Sequence, residues 1–351
     1  MTETPRTPTA STVIDALPKA ELHLHLEGSI RPDTAVELLA RHDVKITPEE
    51  VAQRYRYTNF AGFIDAFKWV TSYLRDPDDY RLITQRLLEE LIRQNVVYAE
   101  ITISVGVMLR RMQNVEANFA AIRETAQSVP FAKIRTAWIF DCARQFGADA
   151  ASEVARWAAR LSKSGVVAFG MGGDELAFPA VNFRPAFDHA RNEGLRIVCH
   201  AGEIGGPESI REAIEILGAE RIGHGIAAMN DAALAQSLSL RRVVVLEDCP
   251  TSNLCTGALA KQVGKPQAGL KDHPLPSFIA RGVPVTLSTD DPAMFHTDLL
   301  SEYSHAASLG LSTQQLLQLA EQSFNFAFLS ADEKRHYLDD FRSAAKSRGL
   351  L

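Results

Sequence analysis

Residues 22–26 read Leu22-His23-Leu24-His25-Leu26. A strand sends alternate side chains to opposite faces, so the leucines share one face and His23 and His25 the other. Two imidazoles on one face of a buried strand are costly unless something satisfies their nitrogens, and a metal ion would. A core histidine satisfied by hydrogen bonds is the plainer alternative for either residue alone. Further candidates end other apolar runs. His200 and Glu203 fall in Val198-Cys199-His200-Ala201-Gly202-Glu203, and His224 in Ile222-Gly223-His224-Gly225. Asp290 and Asp291 fall in Leu287-Ser288-Thr289-Asp290-Asp291-Pro292. Imidazole nitrogens with a carboxylate oxygen form a donor set that suits zinc and leaves a position for water. Each piece also has an ordinary reading: Asp-Asp-Pro as a turn, His-Ala-Gly as a strand stop, Glu203 as a helix cap. Their joint occurrence at the ends of apolar runs favours one shared site.

The rest of the chain must bring residues 23 and 290 together. Short apolar runs rich in β-branched residues alternate with helical patterns. Strands are expected at 21–26, 96–104, 133–140, 166–170, 196–200, 221–224, 242–247 and 284–288. A helix is expected over 207–218, with Ile210, Ala213, Ile214 and Leu217 at helical spacing, Pro207 at its start and Gly218 at its end. This alternation predicts an α/β fold, a (β/α)8 TIM barrel with extra helices, and leaves a doubly wound open sheet as the competitor. In such a barrel the C-terminal strand ends share one face, where catalytic residues sit. The histidines and carboxylates fall at those ends.

A helical insertion is expected at about 43–95, more chain than one crossover helix requires. Phe60, Phe63, Phe67, Val70 and Leu74 recur there at helical steps, after an N-cap at Thr58 or Asn59. Such a helix either packs on the barrel or roofs a substrate pocket. Residues 1–12, rich in Thr and Pro, read as a flexible tail. The remainder, 13–351, reads as a single domain, because ligands from the first and last strands must meet at one metal.

Composition narrows the partners. Of 351 residues, 37 are Lys or Arg and 43 Asp or Glu, a net charge of −6 that argues against a general nucleic-acid binder. Hydrophobic residues at 46% and charged residues at 23% match soluble globular proteins. No run of 18 apolar residues exists to span a bilayer, and the first residues lack the pattern of a secretory signal. Cys142, Cys199, Cys249 and Cys255 are too few and scattered for a disulfide framework, and alternation turns Cys199 away from His200. A cytoplasmic location is expected, with self-association into a homo-oligomer left open. Gly170-Met171-Gly172-Gly173-Asp174-Glu175 matches no phosphate-loop pattern and better suits close backbone approach to a flat ligand. No lysine stands there to bridge two metals, which favours a single ion. Neither a G-x-S-x-G elbow nor the P-C-x-x-C of cytidine-type zinc deaminases is present.

Taken together, the His23-Leu24-His25-Leu26-Glu27-Gly28 run, His200-Ala201-Gly202-Glu203, Ile222-Gly223-His224-Gly225 and Ser288-Thr289-Asp290-Asp291-Pro292 resemble the adenosine deaminase family of the amidohydrolase barrels. Gly173-Asp174-Glu175 and Cys249-Pro250-Thr251-Ser252-Asn253 share the likeness, and the motifs follow in family order from about Leu17 onward. The resemblance implies one Zn2+ per chain held by His23, His25, His200 and Asp290. It implies that His224 orients the attacking water and helps deprotonate it. Glu203 would protonate N1 of the purine, Asp291 would hydrogen-bond N7, and the Gly173 N–H would meet N3. Glu203 must then start out protonated, which requires a raised pKa.

The same resemblance narrows the substrate, a purine nucleoside. Adenosine-specific members usually carry Asp where this chain has Glu27, a position that faces the ribose, and tend to carry Arg after Tyr-x-Glu-x on strand 2. This chain reads Tyr98-Ala99-Glu100-Ile101-Thr102. Adenine-specific members usually show Ser-Ser-Glu where Gly172-Gly173-Asp174-Glu175 stands. The mixture is more similar to members that deaminate 6-aminodeoxyfutalosine, an adenosine analogue extended at the 5′ end, on the route to menaquinone. A carboxylate on that extension would want a cation, and Arg110, Arg111 and Arg144 are the candidates. Adenosine or 2′-deoxyadenosine is the alternative, ahead of adenine. A catalytically silent nucleoside-binding barrel would have lost a ligand or Glu203, and all are present. An amidohydrolase acting on amides or esters would not need the N1-facing glutamate.

Overall fold

The computed structural model describes residues 14–351. The tail expected over 1–12 lies outside the described residues. Eight parallel strands follow one another in chain order: β1 (Lys19–His25), β2 (Val96–Ile103), β3 (Arg135–Ala143), β4 (Val166–Gly172), β5 (Arg196–Ala201), β6 (Arg221–His224), β7 (Val245–Asp248) and β8 (Val285–Leu287). The barrel closes just past β8, where Asp290 meets β1. His25 N donates to Asp290 O at 2.8 Å, and Asp290 N donates to His23 O at 3.0 Å, on either side of a parallel bridge between Leu24 and Asp290. That closure excludes the open sheet and places residue 290 beside residues 23 and 25.

Both faces of these strands are covered, so their sequences run apolar with few interruptions. All seven residues of β1 are buried. Leu22, Leu24 and Leu26 enter the main hydrophobic core, and His23 and His25 take the opposite face. The interruptions are charged and lie inside the barrel. Arg221 of β6 pairs through Nη1 with Glu100 of β2 at 2.6 Å, and through Nε with Glu247 of β7 at 2.6 Å. Its guanidinium also lies 3.9 Å from the Phe328 ring centroid.

Between β1 and β2 stand α1 (Pro32–Ala40), α2 (Pro48–Arg54), α3 (Phe60–Thr71) and α4 (Pro77–Arg93), so helix begins before residue 43. Of the two expected caps, Asn59 serves: its Oδ1 accepts from Gly62 N at 3.0 Å. Phe63, Ala66 and Val70 of α3 are buried, while Phe60, Ile64 and Phe67 line a cavity over the barrel mouth. The helix therefore both packs on the barrel and walls the pocket. After β2 comes α5 (Val105–Arg110), after β5 α6 (Pro207–Glu215), and after β6 α7 (Ala232–Arg241). Two short helices, α8 (Pro250–Cys255) and α9 (Ala258–Val263), follow β7. Beyond β8 the chain adds α10 (Leu299–Ser308), α11 (Thr313–Phe326) and α12 (Ala331–Lys346).

Several expected boundaries shift by a few residues, the helix expected over 207–218 ending at Glu215 among them, and two of the shifts have a plain physical cause or consequence. The seventh strand does not start at residue 242, because Arg242 takes φ 50° and caps α7 in the left-handed region. Val243 is correspondingly exposed, and β7 starts at Val245. The third strand continues to Ala143, past the expected end at residue 140, and so brings Asp141 to the cavity wall.

Candidate active site

His23, His25, His200 and His224 end β1, β5 and β6, and their rings converge. Centroids of His23 and His200 lie 4.6 Å apart, and those of His23 and His25 lie 5.4 Å apart. His224 stands 5.3 Å from both His23 and His200. Gly223 makes this crowding possible: a Cβ there would sit 2.6 Å from His23 Cε1. Asp290 completes the cluster, with Oδ1 3.3 Å from Nε2 of both His23 and His25. His224 and Asp290 hold φ values of 62° and 67°, a region L-residues avoid and one that gathers at functional sites.

The donor set fits a divalent metal. Ligand atoms of His23, His200, His224 and Asp290 all lie within 4.8 Å of one another, and those of His25, Asp290 and Asp291 form a second such group sharing Asp290. His23 Nδ1 is held by Glu247 Oε2 at 2.9 Å, which leaves Nε2 buried without a well-formed hydrogen bond. A carboxylate behind a ligating imidazole fixes its tautomer in this way. Ser252 Oγ, on α8, donates to Asp290 Oδ2 at 2.7 Å and steadies the carboxylate. His224 has partners of its own. Asn253 Nδ2 meets its Nδ1 at 3.0 Å, and its Nε2 edge faces Glu203 Oε2 at 3.6 Å. Asn253 is itself held by His273 Nε2 at 3.2 Å from its Oδ1.

The electrostatics separate donors from acceptors. Burial lowers the pKa of His23, but Asp290 and Glu247 outweigh it and lift the value to about 10. Burial likewise opposes charge on His25, yet Asp291 and Asp290 raise its pKa to about 9. Burial holds His224 down to about 4 and His200 well below its usual range. Asp290 stays well below the ordinary carboxylate range, because hydrogen bonds and charge from the histidines overcome burial. Burial, with Asp290 beside it, pushes Asp291 well up. Glu203 is also pushed well up, by burial first and then by the charges of Asp290 and Glu175. Glu203 and Asp291 are thus the two carboxyls of the site whose surroundings favour the protonated, hydrogen-bond-donating form.

These groups face one cavity of about 370 Å³. His25, His200, Glu203, His224, Asp290 and Asp291 line its inner end, and Gly173, at φ 99°, lines its wall. Gly28 lies so close beneath Asp291 that a Cβ would overlap its carboxylate at 1.7 Å. Not every expected residue belongs to the cavity. Glu27 does not line it; its Oε1 accepts from Ser104 N at 3.0 Å, and Ser104 lines the wall in its place. Among the three arginines only Arg110 lines the cavity. Arg111 turns to the carbonyl and hydroxyl of Thr71. Arg144 is buried, donating to His200 O at 3.0 Å and Phe178 O at 3.1 Å. Sequence reasoning missed Glu247 and Asp141 as members of the site, and it placed Ser252 and Asn253 in a shared motif without a role. The available signal was a charged residue inside an apolar strand, as at Glu247 and Asp141. Burial lifts the Asp141 pKa to about 7.

A (β/α)8 barrel with a histidine–carboxylate cluster at its C-terminal face defines the class of metal-dependent hydrolases known as amidohydrolases. Within that class the family model for adenosine deaminase matches residues 18–344. The chain belongs to the adenosine deaminase family, and it is a hydrolytic deaminase acting on a purine. It is 42% identical over 335 residues to aminodeoxyfutalosine deaminase of Streptomyces coelicolor, covering 93% of this chain and 84% of that protein. It is 33% identical over 332 residues to adenosine deaminase of Escherichia coli, covering 91% and 96%. Among solved structures, adenine deaminase from Arthrobacter aurescens superposes with a TM-score of 0.84 at 29% identity, covering 94% and 100%. An amidohydrolase from Burkholderia ambifaria, solved with bound Zn, gives 0.86 at 25% identity, covering 99% and 98%.

Proposed function

We propose that the substrate is 6-aminodeoxyfutalosine, and that the chain converts its 6-amino group to a 6-oxo group with release of ammonia, on the route to menaquinone. The observation that carries this reading is the 42% identity to the Streptomyces enzyme across 93% of the chain, against 33% to the adenosine deaminase. The cavity supports it. Beyond the histidine cluster lie Phe60, Phe67 and Phe146, with Lys68 and Arg110 among the lining residues. Such a wall suits an apolar, anionic extension of a nucleoside.

The metal assigned to the site is zinc, one per chain, held by His23, His25, His200 and Asp290. His224 lies in the same 4.8 Å group as His23, His200 and Asp290, and it is assigned to the attacking water because its Nε2 stands between Glu203 Oε2 at 3.6 Å and Asp290 Oδ2 at 3.9 Å. Bound there, the ion would make a water molecule nucleophilic at neutral pH. The protein's own residues do the rest. His224 Nε2 orients the attacking water and exchanges a proton with it. Glu203 donates its proton to N1, so that C6 accepts the new C–O bond. Asp291 donates to the N7 lone pair, and the Gly173 N–H meets N3. The proton that His224 took from the water passes to the amine, the C6 hydroxyl returns a proton to Glu203, and loss of the C6–N bond releases ammonia and leaves the 6-oxo ring with its proton on N1.

The test is a comparison of kcat/KM for 6-aminodeoxyfutalosine, adenosine, 2′-deoxyadenosine and adenine on metal-loaded protein. The expected result is a preference of at least about tenfold for 6-aminodeoxyfutalosine. A preference for adenosine would shift the reading to purine salvage, and absence of turnover on all four would overturn it. Metal analysis of the same protein should return one zinc per chain.

A further inference from the structure

Beyond β5 the chain leaves the sheet, and the amide hydrogens of Gly202, Glu203 and Ile204 have no ladder partner. Buried amides need one. All three turn to a single carboxylate. Gly202 N donates to Glu175 Oε2 at 2.6 Å, Glu203 N to Oε1 at 3.0 Å, and Ile204 N to Oε1 at 2.9 Å. Ser209 Oγ, on α6, adds a fourth bond to Oε2. Glu175 is buried, and it arrives there because Asp174 closes the preceding turn, accepting from Leu176 N and Ala177 N. The carbonyl side of the same loop is held separately: Gln262 Nε2 donates to Glu203 O at 2.8 Å and Gly205 O at 2.7 Å.

We propose that Glu175 is a positioning residue for proton transfer: by gathering the amides of Gly202, Glu203 and Ile204 on one carboxylate, it fixes where the Glu203 side chain meets the purine. Glu175 is not among the residues that line the cavity, so it acts through the loop it holds. This inference rests on the acid role proposed for Glu203. It also separates the three residues of Gly173-Asp174-Glu175 by what they do. Gly173 lines the cavity, Asp174 closes the turn, and Glu175 clamps the loop. A freed loop would carry the Glu203 carboxyl away from N1 while leaving the histidine cluster and the rest of the pocket in place. The loss should therefore fall on kcat and spare binding.

The experiment compares Glu175→Ala, Glu175→Gln and Glu203→Gln in the full-length metal-loaded enzyme, each normalised to folded protein with one metal per chain. Glu175→Ala is expected to lower kcat about 100-fold, the cost of a misplacement near 1 Å, with KM within about threefold of the wild type. Glu175→Gln keeps an acceptor oxygen for the Glu203 and Ile204 amides and should recover part of the loss. A kcat within about threefold of the wild type in Glu175→Ala would overturn the proposal. So would a loss that vanishes on normalisation, because Glu175 would then only support folding or metal retention. If Glu175→Ala does not fold, Glu175→Gln carries the test, expected at least tenfold down in kcat with KM kept, and overturned by an unchanged kcat. Glu203→Gln separates the two failures. If it stays active, the acid role fails; if it is inactive while Glu175→Ala is active, only the clamp fails.

Discussion

Glu247 never reaches the cavity, yet it decides which nitrogen of His23 is available. Its Oε2 holds Nδ1 at 2.9 Å, and its Oε1 is held in turn by Arg221 Nε at 2.6 Å. Replacing it with Ala frees the imidazole to rotate and leaves Arg221 with one carboxylate. Metal affinity should fall about 10- to 100-fold in Glu247→Ala, measured by competition with a chelator, while saturating metal restores activity. An unchanged affinity would mean that Glu247 does not govern how His23 meets the metal. The ligand itself behaves differently. His23→Ala should lose bound metal and turnover with its circular dichroism intact, whereas Glu203→Gln should keep the metal and lose most of its turnover. Full metal occupancy in His23→Ala would break the ligand assignment. Much at this scale could be read in advance, because His23, His25, His200, His224 and Asp290 stand in short runs whose alternation or position exposes them. Glu247 and Arg221 could not be assigned, since only barrel closure tells which inward charges meet. Glu27 engages the Ser104 amide and is not among the cavity-lining residues, for a similar reason. A 3-10 turn that starts two residues past His25 carries it to the Ser104 amide, and no periodicity reports such a turn.

The elements between the strands decide what enters. α3 presents Phe60, Phe63, Ile64 and Phe67 to the cavity and adds Lys68, and α5 contributes Arg110, whose guanidinium lies 5.1 Å from the Phe146 ring centroid. Neither Lys68 nor Arg110 makes an ion pair among the described residues. Their charges are thus open to a substrate anion. The double variant Lys68→Ala/Arg110→Ala should lose about tenfold in kcat/KM toward a nucleoside carrying a carboxylate on its 5′ extension, through KM. Adenosine, which has no such group, should change by less than about threefold. Equal losses on both substrates would show that the two side chains act on the pocket's shape, not on charge. The helical period of α3 was visible in its phenylalanines, and its cap in Asn59. Sequence alone did not say which side of the helix the cavity would take, because that depends on the barrel mouth beneath it. Arg110 and Arg111 make the same point. They are adjacent, and only the end of α5 separates the one facing the cavity from the one bound to Thr71.

At the scale of the molecule, the site joins the first strand to the last. The cluster gathers carboxylates around imidazoles, and without a cation those carboxylates draw protons onto His23 and His25, with pKa values of about 10 and about 9. A histidine whose pKa is raised above its unfolded value, about 6.5, stabilises the fold fully below that value. The stabilisation is lost as pH rises through the folded value. Metal-free protein should therefore lose stability between about pH 6.5 and pH 10. The loaded protein should lose less, because the ion satisfies the same carboxylates and needs both imidazoles neutral. Other groups also titrate. Glu302 is lifted by burial to about 7, so its contribution falls as pH rises from about 4.5 to about 7. Glu302 lies on α10, bonded to Thr251 and Thr297, so its effect is common to both forms and cancels in their difference. The decisive quantity is the gap in Tm between loaded and chelator-stripped protein, followed by calorimetry at pH 6.5 and pH 9.5. The gap should widen with pH, and metal uptake near pH 7 should release protons, seen as a binding enthalpy that depends on the buffer. A gap that is constant or narrows, with no proton release, would mean that the stripped site does not hold its protons on the histidines. The cluster would then have to relax when the metal leaves, and β1 and β8 would be joined at Asp290 by backbone hydrogen bonds without that charge.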